Sequence, residues 1–188
     1  MKRNAIALTG GIGSGKSAVG NYLRQKGFVV VDCDQLSRQI AMEAQVLQQV
    51  EDLLGQGFVV NGQLDRAKIR NVVFGDKLLH QKYSQIFHNR IRDVLVGTLE
   101  QSNDVVFVEI PLIDAFDFDW LQIWLVEREL KTRVDAVVKR DGVSMENVMN
   151  IVSKQQIATN YKVKIDNNGT LDQLFKQIDN LLQANNLL

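Results

Sequence analysis

Short runs of apolar and β-branched residues recur along the chain, separated by longer stretches with helical spacing. Each run is continuous rather than alternating, as in strands that are buried on both faces of a parallel sheet. The runs are Ile6–Thr9, Phe28–Val31, Val105–Ile110, Ile123–Val126 and Val163–Ile165. They predict a central parallel five-stranded sheet whose strands are joined by right-handed crossovers.

Apolar positions between these runs follow the period of an α-helix. Val19, Tyr22 and Leu23 fall on one face of a helix predicted over 16–26, which ends at Gly27. In the last third of the chain the pattern predicts three more helices. One spans about 131–140 and one is capped by Ser144. The third spans Leu171–Asn185 and opens with a capping box of Thr170 and Gln173. This alternation is typical of a three-layer α/β fold.

A long helical region interrupts the alternation between the second and third strands. From Gln35 to about Gln101 the pattern is almost wholly helical, with breaks near Gly55–Gly57 and at Asn61-Gly62, and Asp65 is a plausible N-cap. No linker rich in proline, glycine or serine divides the 188 residues, so one domain is predicted. Its predicted parts are a core of 1–34 and 103–188 and a helical insertion over about 35–102.

The segment between the first strand and the first helix matches the phosphate-loop pattern G-x-x-x-x-G-K-[ST], as Gly10-Gly11-Ile12-Gly13-Ser14-Gly15-Lys16-Ser17. Its glycines allow backbone N–H groups to surround phosphates at a helix N-terminus. Lys16 is expected to reach the β and γ oxygens of ATP, and Ser17 to bind Mg²⁺. A dinucleotide-binding loop is disfavoured, because its third glycine would fall at Lys16. The predicted ATP contacts here are Gly11, Ile12, Gly13, Ser14, Gly15, Lys16, Ser17 and Ala18.

Two carboxylates, Asp32 and Asp34, follow the second strand. The run from Val30 to Asp34 is expected to end the strand, so both carboxylates point the same way at the carboxyl edge of the sheet, where α/β proteins bind ligands. One would then orient or deprotonate an acceptor hydroxyl while the other lies near the metal. Either of the two could instead merely cap the next helix, which Asp34 directly precedes in the predicted pattern. Cys33, between them, is expected to be a small buried residue rather than a nucleophile.

Composition and charge narrow the classes of partner and of compartment. The 22 basic and 22 acidic residues cancel, which favours neither a nucleic acid nor a membrane surface. The lone cysteine excludes an intrachain disulfide framework, and the apolar stretch after Asn4 is too short for a signal peptide. These features predict a cytoplasmic protein. A monomer or a weak homo-oligomer is expected, although no feature of the sequence determines the oligomeric state.

Motifs along almost the whole chain resemble those of the dephospho-CoA kinase family. They occur in the family's order and include its version of the phosphate loop, from Leu8 to Ser17. The other matching blocks are D-x-D-x-x-x-R at Asp32, Asp34 and Arg38; G-x-L-D-R at Gly62–Arg66; the histidine His88; an acid-x-P-L turn at Glu109–Leu112; R-D-G at Arg140–Gly142; and I-D-N-x-G at Ile165–Gly169.

The resemblance implies ATP-dependent phosphorylation of the ribose 3′-hydroxyl of dephospho-CoA, the last step of coenzyme A synthesis. It implies that Lys16, Asp34 and Asp32 are catalytic, with Asp34 the principal carboxylate. A lid over about 128–160 would contribute Arg140, and Asn167 would also contact ATP. The implied acceptor contacts are Asp34, Arg38, Arg66, His88, Pro111 and Leu112.

Several assignments keep alternatives. Glu109 could hold Mg²⁺ together with Ser17 or merely anchor a loop, and His88 could contact the substrate or hydrogen-bond in the core. Basic residues near Arg140 are expected to form a solvated helix face; they are Arg128, Lys131, Arg133 and Lys139.

The chain also departs from the family at Asn89, Ala115, Ala136 and the shorter segment 155–161. Two other functions therefore stay open: a kinase of a nucleoside monophosphate or another small hydroxyl compound, and an ATP-binding regulator without catalysis.

Overall fold

The computed structural model describes residues 4–111, 118 and 120–187. In chain order the elements of this part are β1 (Ala5–Thr9), α1 (Lys16–Gln25), β2 (Val29–Asp32), α2 (Cys33–Ile40), α3 (Ala44–Leu54), β3 (Val59–Val60), β4 (Gln63–Leu64), α4 (Arg66–Val73), α5 (Lys77–Gln101), β5 (Val106–Glu109), β6 (Gln122–Glu127), α6 (Leu130–Asp141), α7 (Met145–Lys154), β7 (Val163–Asp166) and α8 (Leu171–Ala184). None of these helices combines the length and hydropathy that a bilayer span requires.

The predicted central sheet is confirmed. Its strands lie in the order β2-β5-β1-β6-β7, and every neighbouring pair is parallel. Strand β1 is buried along its whole length because it lies in the middle of the sheet. The sheet core contains Ile6, Leu8, Phe107 and Trp124, against which α1 and α8 pack Leu23 and Ile178. Apolar runs without alternation are what such a doubly covered sheet requires.

The helix ends follow the predicted caps. The Thr170 hydroxyl accepts a hydrogen bond from the Gln173 backbone N–H, while the Gln173 side chain accepts one from the Thr170 N–H, so the capping box is confirmed. Ser144 caps α7 and Asp65 caps α4 in the same manner, each through a side-chain oxygen. These caps satisfy backbone donors that have no partner within the helix.

The chain divides into two compact units. One comprises the residues up to Asp32 together with those from Gln101 onward, and contains the central sheet. The other, Cys33–Glu100, has its own core around Val50, Phe58, Ile69 and Val73.

The second unit contains a small antiparallel hairpin, β3–β4, that the helical pattern did not predict. Asn61 and Gly62 form its two-residue turn, with φ values of 52° and 74°. Positive φ at both central residues is what a tight hairpin turn of this kind requires. The sequence indicated only a break here, because strands of two residues are too short to show an alternating pattern.

Candidate active site

The loop between β1 and α1 turns tightly around its own backbone. Gly13 and Gly15 have φ values of 74° and 97°, which favour glycine, and Gly15 is the N-cap of α1. The Ser14 N–H donates to the Gly11 carbonyl oxygen at 3.1 Å, and the Ala18 N–H donates to the Gly15 carbonyl oxygen at 3.0 Å. The start of α1 thus lies directly after the loop, in the arrangement that favours an anion.

The ammonium group of Lys16 lies over the loop. Its Nζ donates to the Gly10 carbonyl oxygen at 2.8 Å and lies 3.5 Å from the Gly11 carbonyl oxygen. These carbonyl groups hold the charge beside the backbone amides of the same loop. A cation in this position suits the oxygens of a bound triphosphate.

Ser17 and Glu109, the two predicted metal ligands, are in direct contact. The Ser17 hydroxyl donates to Glu109 Oε1 at 2.6 Å, although 92 positions separate them in sequence. Glu109 ends β5 and is only 6% exposed, and burial is the main reason why its pKa is raised, while the bond from Ser17 partly opposes the rise.

The oxygen atoms of Ser17 and Glu109 are suitable ligands for Mg²⁺. The second carboxylate oxygen of Glu109 is buried and has no hydrogen-bond partner in the described part of the chain, so it could accept from a metal-bound water. Mg²⁺ commonly binds to one or two protein oxygens and completes its shell with phosphates and water. It therefore does not need a cluster of three acidic, histidine or cysteine side chains, and the described residues contain none.

Asp32 lies beside this pair. It is the register partner of Glu109 in the parallel pairing of β2 with β5, and its charge contributes to the raised pKa of Glu109. The second carboxylate of the motif does not continue this strand, because β2 ends at Asp32 and α2 begins at Cys33.

The prediction that Asp32 and Asp34 point the same way along one strand is therefore wrong. It needs extended backbone through Asp34, whereas the backbone becomes helical one residue earlier. The alternative that one of the two aspartates caps the next helix is wrong for Asp34, which lies exposed inside the first turn of α2, whereas Asp32 directly precedes that helix. Cys33 is buried, as predicted.

Asn167, from the I-D-N-x-G motif, holds the loop. Its side-chain amide is buried and donates to the Ser14 carbonyl oxygen at 2.8 Å, while its backbone N–H bonds to Glu127. A Cβ atom added to Gly15 would overlap the same amide nitrogen, so Gly15 permits this close approach. In the structure Asn167 positions the loop, and its predicted contact with ATP stays a prediction.

Arg133 lies in a different environment from the one that the sequence predicted. We expected it on a solvated face of α6, but it is only 7% exposed and lies against the loop. The apolar residues Val134 and Val137, one and four positions further on, are buried with it. That spacing places position 133 on the inner face of the helix, and it was the available signal.

Gln155, just after α7, also contacts the loop. Its side-chain oxygen accepts a hydrogen bond from the Ile12 N–H at 2.8 Å. Ile12 packs against the small apolar cluster of α6 and α7, which comprises Val134, Val137 and Val148. In the sequence, the segment beginning at Gln155 is distinguished only by its short length.

Arg140, the predicted lid arginine, is exposed. It forms two hydrogen bonds with the adjacent Asp141, of 2.6 and 2.7 Å, which raise the pKa of Arg140 and lower that of Asp141. The structure thus places it at the last turn of α6 in an ion pair with its neighbour.

The predicted acceptor contacts are distributed along the chain. Arg38 is exposed on α2 and Arg66 is exposed at the first turn of α4. His88 is partly buried on α5, and burial, together with nearby His80, lowers its pKa. Pro111 is partly buried just beyond β5, whereas Leu112 and Ala115 lie outside the described residues.

Comparisons with known proteins agree on one family. The chain matches the family model described as dephospho-CoA kinase over residues 4–173. A dephospho-CoA kinase of Streptococcus thermophilus is 34% identical over 184 residues, which are 92% of this chain and 93% of the relative.

Two solved structures share the fold. The crystal structure of TT1252 from Thermus thermophilus matches with a TM-score of 0.81 and 30% identity over 96% of each chain. A dephospho-CoA kinase from Campylobacter jejuni matches with a TM-score of 0.58 and 19% identity, again over 96% of each chain. The predicted α/β P-loop kinase fold with its parallel sheet is confirmed.

Proposed function

This chain belongs to the dephospho-CoA kinase family, and from that premise we propose that it transfers the γ-phosphate of ATP to the ribose 3′-hydroxyl of dephospho-CoA, giving coenzyme A and ADP. The observation that carries the proposal is the joint placement of Lys16, Ser17 and Glu109 at one glycine loop. A cation, a hydroxyl and a buried acid around such a loop are the parts that a phosphoryl transferase uses.

The loop supplies the ATP site. Backbone N–H groups of the loop that make no bond within the protein, together with the start of α1, bind the phosphates, and Lys16 balances their charge. Asn167 keeps this backbone in place through its bond to Ser14. Because the donors are already oriented, little reorganisation accompanies the reaction.

Ser17 and Glu109 would hold Mg²⁺, directly or through water, with Asp32 as a neighbouring charge. When bound there, Mg²⁺ would supply positive charge beside the phosphate oxygens and the leaving ADP. The unpartnered, buried Oε2 of Glu109 supports this assignment, because an isolated buried carboxylate oxygen is otherwise unfavourable.

Asp34 serves as the acceptor carboxylate. In the transfer, the bond between the γ-phosphorus and the bridging oxygen breaks, a bond to the 3′-oxygen forms, and the hydroxyl proton passes to Asp34. The family's D-x-D-x-x-x-R pattern and the exposure of Asp34 support this role. The acceptor contacts that we propose are Arg38, Arg66, His88, Pro111 and Leu112.

The test measures ADP formation that depends on dephospho-CoA, with mass spectrometry to identify the product. We expect Lys16→Met to lower kcat by roughly 100-fold or more, since it removes a charge that stabilises the transfer. We expect Asp34→Asn to lower kcat about 100-fold or more while leaving ATP affinity nearly unchanged. Lys139→Met, on the exposed surface of α6, is the matched control and should retain activity.

Other outcomes identify the alternatives. Turnover with a nucleoside monophosphate or another hydroxyl compound, but not with dephospho-CoA, would show a kinase with a different acceptor. Tight binding of Mg–ATP without turnover on any of these acceptors would show a regulator. Full activity of Asp34→Asn would remove Asp34 from the mechanism.

We also propose that the protein acts in the cytoplasm as a monomer or a weak homo-oligomer. The single cysteine of the sequence supports the reducing compartment. Light scattering of the purified protein over a range of concentrations tests the oligomeric part.

A further inference from the structure

Arg133 lies on the phosphate loop itself. A Cβ atom added to Gly11 would overlap Nη1 of Arg133 and lie 2.8 Å from its Cζ, so the guanidinium group packs directly on this glycine. A Cβ added to Gly13 would lie 2.5 Å from the Arg133 carbonyl oxygen. Both the backbone and the side chain of Arg133 therefore line the loop.

The ammonium group of Lys16 also lies near Gly11. Its Nζ is 2.8 Å from the Gly10 carbonyl oxygen and 3.5 Å from that of Gly11, while the guanidinium of Arg133 covers Gly11. Two cationic side chains from distant parts of the sequence thus meet around Gly11. An anion bound at this glycine would lie near both cationic groups.

The guanidinium of Arg133 also lacks the partners that a buried arginine normally has. Arg133 is 7% exposed, and its Nε has no hydrogen-bond partner within the described part of the chain. None of the ion pairs found in that part includes it. Burial lowers the pKa of Arg133, and the charge of Glu127 partly opposes this effect.

A buried, incompletely paired charge is unfavourable, and functional sites are where such groups persist. The planar fork of an arginine suits phosphate oxygens, to which it forms strong charge-assisted hydrogen bonds. We infer that Arg133 is a further phosphate-binding residue, whose guanidinium contacts the polyphosphate of ATP together with Lys16 and stabilises the charge that develops during transfer.

This inference rests on the proposed use of ATP but not on the identity of the acceptor. It gives α6 a direct role in nucleotide binding through its first two turns, whereas Arg140 lies exposed at its last turn. The close approach is fixed at position 13, where the positive φ and the Arg133 backbone carbonyl oxygen both exclude a side chain.

The test is calorimetric binding of Mg–ATP and of AMP to purified Arg133→Met, Arg133→Lys and Lys131→Met. Methionine fills a similar space without charge, and Lys131 is an exposed cation on the same helix. We expect Arg133→Met to weaken ATP binding by roughly 10- to 100-fold, with a smaller effect on AMP. Arg133→Lys should recover part of this loss, and Lys131→Met should bind ATP within about twofold of the unchanged protein.

Thermal unfolding without nucleotide separates this role from a structural one. If Arg133 serves the phosphates, Arg133→Met should melt at the same temperature as the unchanged protein or higher, because the variant no longer buries an unpaired charge. ATP affinity that stays within about twofold in a folded Arg133→Met variant overturns the inference. A lower melting temperature with equal losses of ATP and AMP affinity also overturns it.

Failure of the proposed function gives a different result. If the unchanged protein binds ATP but does not phosphorylate dephospho-CoA, the acceptor is wrong and the binding data for Arg133 still decide its role. If the unchanged protein phosphorylates dephospho-CoA and Arg133→Met does so with unaltered kcat and KM for ATP, only the inference about Arg133 fails.

Discussion

The side-chain amide of Asn167 donates a hydrogen bond of 2.8 Å to the carbonyl oxygen of Ser14, across 153 positions of sequence. The bond is buried and joins the end of β7 to the middle of the phosphate loop. Asn167, which follows β7, therefore holds the phosphate loop, which follows β1, in place at the carboxyl edge of the sheet.

Replacement of Asn167 should loosen the phosphate loop. Asn167→Ala leaves the Ser14 carbonyl oxygen without its buried donor and should lower the free energy of unfolding by about 1 to 3 kcal/mol. Asn167→Asp should lower it further, because a carboxylate would then face that carbonyl oxygen in a buried position. Urea unfolding measures the change. Asn150→Asp, on the exposed surface of α7, is the control, and equal stability of the two Asp variants would contradict the prediction.

Gly15 and Gly27 form a matched pair for a test of the loop. Their φ values are 97° and 93°, but a Cβ added to Gly15 would overlap the Asn167 amide, whereas one added to Gly27 would have no atom within 4 Å. Gly27→Ala should therefore show only the conformational penalty, about 1 kcal/mol. Gly15→Ala should lose more stability and bind ATP at least about tenfold more weakly.

Unfolding and calorimetric titration of the two glycine variants separate backbone strain from the close approach. Similar stability losses in Gly15→Ala and Gly27→Ala, with ATP affinity retained in both, would mean that the contact with Asn167 does not matter.

The ionisation of Glu109 should make the free energy of unfolding depend on pH in a defined direction. Its pKa is raised chiefly by burial, so the folded protein binds this proton more tightly than the unfolded chain does. Stability is therefore lost as the pH rises from the ordinary glutamate pKa through the raised value of the folded state. Glu109→Gln removes this loss, since its amide oxygen can still accept the bond from Ser17.

We expect Glu109→Gln without nucleotide to be more stable than the unchanged protein at neutral pH, by about 1 kcal/mol or more. The difference should disappear in acid, below the ordinary glutamate pKa.

The Glu109→Gln variant should also gain less stability from Mg–ATP, because a metal ligand is lost. Thermal unfolding across pH with and without Mg–ATP tests both statements. A constant difference at all pH values would contradict the first, and Glu100→Gln, exposed on α5, is the control.

Gln155 and Gln156 offer a second matched pair. Gln155 accepts a bond from the Ile12 N–H, while Gln156 is exposed. Gln155→Glu keeps an acceptor for that bond but brings a negative charge to the phosphate loop, so ATP affinity should fall about tenfold. Gln156→Glu should change affinity less than about twofold. Equal losses in both variants would show that the position of Gln155 has no special effect on nucleotide binding.

The sheet and most helix ends could be predicted because local pattern determines them. Continuous apolar runs marked the strands, and Thr170 with Gln173 marked the start of α8. The prediction at Asp34 failed because the change from strand to helix at Cys33 leaves no signature in an acid-x-acid spacing. The hairpin at Asn61-Gly62 was missed because its strands are only two residues long.

The candidate site was predictable where residues belong to one contiguous motif. Lys16 and Ser17 were assigned from the loop pattern, and the tertiary structure placed Glu109 against Ser17. Arg133 could not be assigned from charge alone, because its role depends on which face of α6 meets the loop. The same holds for Gln155, whose partner Ile12 is 143 positions away.

By itself, the sequence determined a parallel α/β fold and a phosphate-binding loop, since both follow from local periodicity and from the conformational freedom of glycine. Only the tertiary structure decided which distant side chains converge on that loop: Glu109 at Ser17, Asn167 at Ser14, Arg133 at Gly11 and Gln155 at Ile12. The physical reason is that such contacts depend on how strands and helices pack, and packing joins residues whose separation along the chain carries no information about their distance in space.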